Sequence, residues 1–183
     1  MKFKELPLSG AHIITAEPFV DNRGMFERVL CMNLLKQVGH NKHIAQANHS
    51  MTKEKGAVRG MHYQVPPKAE IKIVRCIRGK VFDVIIDLRA GSPTFLQWYG
   101  AELSDDNMCM MYVPEGCAHG FQVLQAESEL LYFHTAEYSP ENEKAVRYDD
   151  PAIDIKWPLP VIDVSDRDRK HPLLSKDFAG IVL

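Results

Sequence analysis

The sequence predicts a mainly β protein, folded as a sandwich or jelly-roll barrel with few short helices. Three observations point to this class. Most segments alternate apolar and polar residues with the period of a β-strand. Only one stretch has clear helical periodicity, and prolines and glycines bound several of the apolar runs. The 183 residues contain no repeat and no low-complexity linker, so we expect a single domain over residues 1–183.

The first predicted elements are a strand within residues 10–19 and a helix over residues 30–39. Gly39 is a suitable stop for this helix, because glycine readily adopts the left-handed conformation that ends helices. The apolar stripe that predicts the helix consists of Leu30, Leu34, Leu35 and Val38.

Residues 72–89 show the strand pattern most clearly. In the first half, Lys72, Val74 and Cys76 alternate with Ile73, Arg75 and Ile77, and in the second half the residues on one face are Phe82, Val84, Ile86 and Leu88. The short turn Arg78-Gly79-Lys80 between them predicts a β-hairpin. Further strands are predicted at residues 109–114 and 130–138, and some helix near the C-terminus.

The composition argues against several classes of protein. With a net charge of −2, nothing predicts attraction to nucleic acid or to an anionic membrane. No run reaches the roughly 18–20 apolar residues that cross a bilayer, and the N-terminus does not look like a signal peptide. The four cysteines form no CxxC pair, and Cys76 and Cys109 lie in apolar runs. We therefore expect a cytoplasmic protein with reduced thiols.

Two histidines lie in motifs that bear on metal binding. In VPEGCAHGF (113–121), the pattern Pro114-x-Gly116-x-x-His119 resembles the second half of the cupin signature, a turn that delivers a histidine into a small β-barrel. Metal-binding cupins supply His-x-His and a glutamate from an earlier strand, whereas RGMHYQ (59–64) supplies only His62. Because a metal site needs three or four ligands, we expect none here. Taken alone, His62 is better explained as a packed core residue.

Nine stretches together resemble dTDP-4-dehydrorhamnose 3,5-epimerase and the wider family of nucleotide 4-keto-sugar epimerases. They occur in the family's order and cover nearly the whole chain. The stretches are DNRGMFE (21–27), QANHS (46–50), VRGMHYQ (58–64), IKIVRCIRGKVFDVIIDLR (71–89), SPTFLQW (92–98), VPEGCAHGF (113–121), LYFHTAEYSPENE (131–143), YDDPAIDIKWP (148–158) and VSDRDRKHPLL (164–174).

The resemblance implies a cupin-like jelly roll without metal or cofactor, a homodimer, and a deep pocket in each barrel. The implied reaction is epimerisation at C3, C5 or both of a nucleotide-diphosphate 4-keto-6-deoxy sugar. The expected conversion is of the type dTDP-4-dehydro-6-deoxy-D-glucose to dTDP-4-dehydro-L-rhamnose. It would serve deoxysugar biosynthesis for a cell-surface polysaccharide or a glycosylated metabolite.

Residue roles carry over by position from the same resemblance. His62 matches the general base, and Asp168, in Ser165-x-x-Asp168, matches its carboxylate partner. Tyr132 matches the general acid, and Lys72 the cation near the C4 carbonyl of the substrate. The positions that match contacts to the sugar, phosphates and nucleotide, some of them reached from the partner subunit, are Arg23, Gln46, Asn48, Arg59, His119, Tyr138, Glu143 and Arg167.

The residue types suit this chemistry. A C–H bond beside a ketone is acidic because the enolate is delocalised, so the ketone serves as the electron sink and no cofactor is required. Histidine is a residue type suited to act as a general base near neutral pH, so His62 fits that role, and Asp168 would fix its tautomer. Lys72 supplies positive charge where the enolate oxygen develops. Tyr132 supplies a proton on the opposite face of the ring, since a phenol with a pKa of about 10 is protonated at pH 7.

Each assignment has a simpler alternative. Tyr132 on a strand is often only a packing residue, and Lys72 in an alternating strand can face solvent. Asp168 lies in the charged stretch DVSDRDRK, where an isolated carboxylate is expected to be exposed and Asp166 is a nearby competitor. Surface arginines rarely bind phosphate unless the context supplies a site. The family pattern, in which Tyr132, Lys72 and Asp168 occur together with His62, is what favours the catalytic interpretation of these three residues.

Several positions depart from the family pattern and leave the substrate open. Where an acidic residue is usual, this chain has Arg28, directly after Glu27, and the segment after Tyr132 differs at three positions. The alternatives are a single-site epimerase, a metal-dependent cupin, a non-catalytic sugar-nucleotide-binding barrel and a 3,4-ketoisomerase. The three positions after the tyrosine are Phe133, His134 and Glu137, and the loop QVPPKAE (64–70) is also unusual.

Overall fold

The computed structural model describes residues 1–183 and confirms the mainly β architecture. Its helices are α1 (Met32–Leu35), extended by a 3₁₀ turn (Lys36–Val38), and α2 (Asp166–Lys170). The strands are β1 (Lys2–Glu5), β2 (His12–Thr15), β3 (Phe19–Asp21), β4 (Gly24–Phe26), β5 (Gln46–Thr52), β6 (Val58–Gln64), β7 (Lys72–Arg78), β8 (Lys80–Asp87), β9 (Trp98–Ser104), β10 (Cys109–Val113), β11 (Cys117–Val123), β12 (Ser128–His134) and β13 (Glu143–Ala145).

Two large antiparallel sheets form a jelly roll. One sheet has the order β1-β2-β10-β7-β12-β5, and the other has the order β13-β6-β11-β8-β9. Their facing sides share a core cluster to which Val74 and Leu130 contribute from the first sheet and Ile85 and Phe121 from the second. The predicted fold class is therefore confirmed, since alternate residues of each strand fill the space between two sheets.

The predicted hairpin of residues 72–89 is wrong. β7 pairs with β10 and β12, whereas β8 pairs with β9 and β11, so the chain changes sheet at Gly79. Gly79 has a φ of +76°, which suits the abrupt turn. Alternation specifies which side chains face inward but not which strand is the neighbour. Val74 before the turn and Val81 after it enter the same core cluster from opposite sheets.

The outer faces of both sheets are also covered, so that β8 and β11 are buried along nearly their whole length. The N-terminal region packs Leu35 of α1 against Ile14 and Ile73 on the six-stranded sheet. The C-terminal segment packs Ile153 and Ile181 against the five-stranded sheet. No helix has both the length and the apolar character needed to span a membrane.

The remaining predicted elements are largely confirmed, with shifted ends. The helix begins at Met32 rather than residue 30, and Gly39 terminates it with a φ of +76°. The predicted strand of residues 10–19 is divided into β2 and the start of β3, because residues 16–18 break the pairing. The strand predicted for residues 130–138 ends at His134. The predicted C-terminal helix is α2, and all four cysteines are unpaired.

Gly60 allows β6 and β11 to approach each other closely. A Cβ atom added at Gly60 would lie 2.6 Å from the Cα of Gly120 and 2.8 Å from the carbonyl oxygen of His119. The close neighbour of Gly60 is therefore the backbone of the adjacent strand. Met61, which alternation places away from the pocket, is fully buried in the outer core cluster of the five-stranded sheet.

A Gly60→Ala substitution is expected to lower the free energy of unfolding by about 3 kcal/mol, since it combines a φ of +120° with a backbone clash. Gly91→Ala is the matched control, because Gly91 has a φ of +73° but no atom within 4 Å of an added Cβ. It should cost only about 1 kcal/mol of backbone strain. Urea denaturation of both proteins measures the difference, and equal losses would contradict the proposed clash.

Candidate active site

A pocket of about 510 Å³ lies at one end of the barrel, between the two sheets. Strands β5, β7 and β12 form one wall, while β6, β11 and the region of α2 form the other. Every residue predicted for the site lines this pocket except Arg23. The lining members of that set are Gln46, Asn48, Arg59, His62, Lys72, His119, Tyr132, Tyr138, Glu143, Arg167 and Asp168.

His62 and Asp168 form a hydrogen-bonded pair. His62 projects from β6, and its Nε2 lies 2.7 Å from Oδ1 of Asp168. The second carboxylate oxygen, Oδ2, accepts from the backbone N–H of Gly60 at 3.3 Å. Because a carboxylate can only accept, His62 donates from Nε2 and keeps the lone pair of Nδ1 free. That lone pair is what a general base requires.

Helix α2 exists at this position because Ser165 caps it. The Oγ atom of Ser165 accepts from the backbone N–H of Asp168 at 3.0 Å, which starts the helix and turns the Asp168 side chain inward. Asp168 is 3% exposed, so it is not the solvated carboxylate that its charged surroundings suggest, whereas the competing Asp166 is exposed and lies outside the pocket. Burial opposes the ionisation of Asp168. The hydrogen bonds that its carboxylate accepts from His62 and from the backbone N–H of Gly60 outweigh this effect and bring its pKa below the usual value.

Tyr132 lies on β12, in the sheet opposite the strand that carries His62. Its hydroxyl is 3.1 Å from Oγ of Ser50, and its ring meets the ring of His119 edge-on at 6.3 Å. Burial raises the pKa of the Tyr132 phenol above its ordinary value. The hydroxyl is therefore protonated throughout the neutral range and is available as a proton donor.

Lys72 points into the pocket rather than to solvent. Its side chain is 9% exposed, and Nζ donates to the carbonyl oxygen of His62 at 3.1 Å. The same Nζ lies 3.4 Å from Oε1 of Glu70, so the ammonium group has an anionic partner. The position places a positive charge between the strand that carries His62 and the sheet that carries Tyr132.

His119 has its own carboxylate partner. Its Nε2 lies 2.8 Å from Oδ1 of Asp83 on β8, and both side chains are buried. Burial raises the pKa of the Asp83 carboxyl, although the pairing with His119 opposes that shift. Arg59 lies nearby on β6 and lines the pocket; its Nε donates to Oγ1 of Thr52 at 2.8 Å, and its Nη2 donates to the carbonyl oxygen of Met51 at 3.5 Å.

The mouth of the pocket carries a network of polar side chains. The hydroxyl of Tyr138 donates to Oε2 of Glu143 at 2.8 Å, which raises the pKa of that phenol, and Arg167 forms an ion pair with the same carboxylate. Gln46 accepts from the backbone N–H of Tyr138 at 2.9 Å, and Asn48 lies beside Tyr132 in the register of β5 and β12. Among these residues, Arg167 and Asn48 carry side-chain N–H donors suited to phosphate oxygens.

Arg23 is the one predicted site residue that does not reach the pocket of its own chain. It lies at the turn between β3 and β4, with its side chain 83% exposed and paired to Asp21 at 2.6 Å. One departure from the family pattern, Arg28, is close by in the sequence and is exposed. The preceding residue, Glu27, forms an ion pair with the buried Arg75 at 2.7 Å, so Glu27 is occupied in holding the fold.

Sequence reasoning missed several functional partners in the pocket. Glu70 and His134 line it and contact each other, although both lie in segments that already departed from the family pattern. Asp83, the partner of His119, was missed because the prediction considered only the apolar residues of its strand. Asp83 falls on the inward face with Val81 and Ile85, and a charged residue on an apolar inward face is the signal that was available.

The histidines do not converge as cupin metal ligands do. His62 and His119 face each other in the register of β6 and β11, but each is hydrogen-bonded to a different carboxylate. His62, Asp168 and His171 do offer ligand atoms within 4.8 Å of one another. Two of those atoms are already joined by a 2.7 Å hydrogen bond, which is shorter than the separation of two ligands around a tetrahedral zinc. The donor set therefore suits proton transfer better than metal binding.

The fold and the pocket define a cupin-like jelly roll with an acid–base site. Comparison with known proteins then identifies the family. The model of the dTDP-4-dehydrorhamnose 3,5-epimerase family matches residues 5–176, and the chain belongs to this family. The predicted family and the predicted class of enzyme, an isomerase, are both confirmed.

Individual relatives support the same assignment. The chain is 39% identical to a dTDP-4-dehydrorhamnose 3,5-epimerase of Sinorhizobium fredii over 95% of this chain and 90% of the relative. It is also similar to the dTDP-6-deoxy-D-glucose-3,5-epimerase of Legionella pneumophila, solved in complex with dTDP-4-keto-L-rhamnose. That similarity has a TM-score of 0.89 and 36% identity, and it covers 94% of this chain and 92% of the other.

A third relative inverts a single centre. The chain is similar to a 3'-monoepimerase of Streptomyces bikiniensis, solved in complex with dTDP-quinovose, with a TM-score of 0.84 and 31% identity. The match covers 92% of this chain and 85% of the other. Both a 3,5-epimerase and a 3'-monoepimerase are therefore similar in structure to this chain.

Proposed function

We propose that this chain epimerises a dTDP-4-keto-6-deoxy sugar at C3 and C5, converting dTDP-4-dehydro-6-deoxy-D-glucose to dTDP-4-dehydro-L-rhamnose in deoxysugar biosynthesis. The observation that carries the proposal is the arrangement of the pocket. The hydrogen-bonded pair of His62 and Asp168 occupies one wall, and the protonated Tyr132 occupies the facing sheet. Base and acid on opposite sides of a sugar ring are what inversion requires.

The first step is removal of a proton beside the ketone. Nδ1 of His62 accepts the proton from the substrate carbon, and Asp168 stabilises the imidazolium that forms. The electron pair moves into the carbonyl group and gives an enolate. Lys72 lies where its ammonium group can stabilise the negative oxygen.

The second step returns a proton from the other face. Tyr132 donates its hydroxyl proton to the enolate carbon, which inverts the centre. The phenolate then takes up a proton from solvent, and the His62 imidazolium releases its proton to solvent, so that both groups are restored. The hydrogen bond with Ser50 orients the hydroxyl. The 4-keto group accepts and returns the electron pair, so the chain's own residues suffice for the reaction. The same cycle at C3 and at C5 gives the doubly inverted product.

The polar groups around the pocket mouth would hold the nucleotide diphosphate. Arg59 and Arg167 bring guanidinium groups, which bind phosphate oxygens in pairs of hydrogen bonds. Tyr138 is 54% exposed at the mouth and offers a ring on which a base or sugar can stack. The solved complex of the Legionella relative with a dTDP sugar supports this assignment.

A panel of nucleotide 4-keto-6-deoxy sugars tests the proposed substrate. The purified protein is incubated with dTDP, UDP and GDP sugars, and the configuration at C3 and C5 of each product is read by NMR. We expect double inversion of the dTDP sugar and weaker use of the other nucleotides. Consumption of none of these substrates would refute the proposal and favour a sugar-nucleotide-binding barrel without activity.

A single-site epimerase is the second candidate, favoured by the similarity to the Streptomyces monoepimerase. His62 and Tyr132 would act identically in both enzymes, so these residues do not distinguish them. A product inverted only at C3 or only at C5 in the same NMR panel would select this candidate. A requirement for added iron, zinc or manganese would instead select a metal-dependent cupin.

We propose that residues 1–183 form one epimerase domain, that the protein works in the cytoplasm, and that two copies assemble through the β3–β4 hairpin. The unpaired cysteines support a reducing compartment. The hairpin forms a separate two-stranded sheet, and a large apolar surface on it lacks any cover within the chain. Its exposed apolar residues are Phe19, Val20, Met25 and Phe26. A second copy seated there would also give Arg23 a role at the partner's pocket.

The double substitution Phe19→Ser and Phe26→Ser is expected to raise the dimer dissociation constant at least tenfold, because burying each phenylalanine contributes about 1.5–3 kcal/mol. Sedimentation equilibrium measures the constant. Val182→Ser is the matched control, since Val182 is 78% exposed but distant in sequence from the hairpin. A wild-type protein that sediments only at its monomer mass of 20.8 kDa would contradict the proposed assembly.

A further inference from the structure

Lys72, Glu70 and His134 form a connected cluster in the wall of the pocket. Nζ of Lys72 lies 3.4 Å from Oε1 of Glu70, and Nδ1 of His134 lies 2.8 Å from Oε2 of the same carboxylate. All three residues are less than 10% exposed and all line the pocket. The cluster therefore belongs to the site, although neither Glu70 nor His134 has a part in the proton transfers described above.

The carboxylate of Glu70 has a position that needs explanation. A negative charge beside Lys72 opposes the development of negative charge on the enolate oxygen, because like charges repel strongly in a poorly solvated site. The hydrogen bond from His134 draws part of the carboxylate charge away from the pocket. His134 in turn lies 3.4 Å from the side-chain amide of Asn48, which orients its ring from the far side.

The strand register shows how Glu70 reaches both groups. His134 and Lys72 are directly opposite each other in the pairing of β12 and β7. Side chains at opposed positions of paired strands are close neighbours, so one carboxylate beside them can contact both. Glu70, two residues before Lys72, reaches both groups with its two oxygens. The cluster thus has a fixed geometry that Lys72, on its flexible stem, would not keep alone.

The donors of Lys72 then have a defined use. An ammonium group has three N–H donors. One donates to the carbonyl oxygen of His62, and the ion pair with Glu70 at 3.4 Å holds the ammonium group from a second direction. Both partners are held by the fold, because β6 carries His62 and the hydrogen bond from His134 holds Glu70. The ammonium group is thereby held in place, and an N–H that His62 does not use is available to a substrate oxygen.

We propose that Glu70 and His134 are positioning residues that direct the free N–H of Lys72 toward the substrate carbonyl. The inference rests on the proposed epimerase function and extends it to two residues that act through Lys72 without touching the reacting carbons. The other titratable groups that border this wall are His62 on β6, Asp83 on β8, His119 on β11 and Tyr132 on β12.

Glu70→Gln tests the proposal because it removes the charge and keeps the shape. We expect kcat to fall roughly 10- to 100-fold, as misdirected catalytic groups do, while KM changes less than about threefold. Deuterium exchange at C3 and C5 should fall in parallel, since Lys72 acts on the enolate. His134→Leu should give a smaller loss, and the double variant should be no worse than Glu70→Gln, because His134 acts through Glu70.

Glu137→Gln is the matched control. Glu137 also pairs with a lysine, Lys68, at 3.8 Å, but its side chain is 77% exposed. It should keep the wild-type kcat and KM. Losing the same charge at the two positions therefore separates a specific effect on Lys72 from a general change in the field around the pocket.

Three results would overturn the inference. A folded Glu70→Gln protein with wild-type kcat would show that Lys72 needs no such support, and a raised KM with unchanged kcat would make Glu70 a substrate contact. If Glu70→Gln does not fold, Glu70→Asp decides, because it keeps the charge but shortens the reach. We expect a lower kcat at constant KM, and wild-type kcat would again refute the proposal. An inactive wild-type protein would refute the epimerase function itself, which is a separate outcome.

Discussion

A His62→Ala protein is expected to lose deuterium exchange at both C3 and C5, with kcat lowered roughly 10²- to 10⁴-fold. In the proposed mechanism the imidazole accepts the substrate proton, and Asp168 cannot replace it because its carboxylate is buried behind the ring. Exchange into the substrate in deuterated water, followed by NMR, measures the proton removal directly. Product formation should fall by the same factor, since inversion follows removal.

His43→Ala provides the control for this substitution. His43 is exposed and lies outside the pocket, so the variant should keep the wild-type rate. Binding of dTDP to His62→Ala should also be retained, because the proposed nucleotide contacts lie at the pocket mouth. A His62→Ala protein that still exchanges both protons at the wild-type rate would exclude His62 as the base.

Tyr132→Phe is expected to separate exchange from inversion. His62 still removes the proton and returns a solvent deuteron to the same face, so exchange continues. Inversion should fall roughly 10²- to 10³-fold, because the donor on the opposite face is missing. Both quantities come from one NMR sample, in which deuterium content and ring configuration are followed together. Inversion at the wild-type rate would show that Tyr132 is not the acid.

Tyr112→Phe is the control for removing a buried phenol. Burial raises the pKa of Tyr112 to about 12, and its hydroxyl lies 3.0 Å from Nδ1 of His40. It therefore resembles Tyr132 in burial and in having a hydrogen-bond partner, but it does not line the pocket. This variant should lose some stability and keep both exchange and inversion.

Much of the fold could be predicted from local pattern. Alternation correctly placed Val84, Ile86 and Leu88 on one buried face, and Gly39 ends the helix as expected. Pattern could not show that β7 and β8 belong to different sheets. Inward-facing residues look the same whether the next strand is a neighbour or lies across the core.

The candidate site was predictable where a motif marked it and unpredictable where it depended on distant contacts. The order of the nine family stretches indicated His62, Tyr132, Lys72 and Asp168, and the fold brings all four to one pocket. The burial of Asp168 depends on a helix cap and on packing against β6, which the charged sequence around it conceals.

The partners of these residues could not be found in the same way. The contact between Glu70 and His134 joins positions 64 residues apart, through a pairing of β7 with β12 that no local pattern specifies. Arg23 lies at the turn of the β3–β4 hairpin, where its side chain is exposed and far along the sequence from the residues that line the pocket. We propose that Arg23 acts at the pocket of a second copy, and such a contact leaves no signal in the sequence beyond the motif that contains the residue.

The central claim is that His62 and Tyr132 invert a dTDP-4-keto sugar through an enolate. The most direct test is to incubate the wild-type protein with dTDP-4-dehydro-6-deoxy-D-glucose in deuterated water and to follow C3 and C5 by NMR. The account predicts deuterium at both carbons and the L-rhamno configuration in the product. A product with inverted centres that retain their original hydrogens would contradict it, as would a bound substrate with no exchange at either carbon.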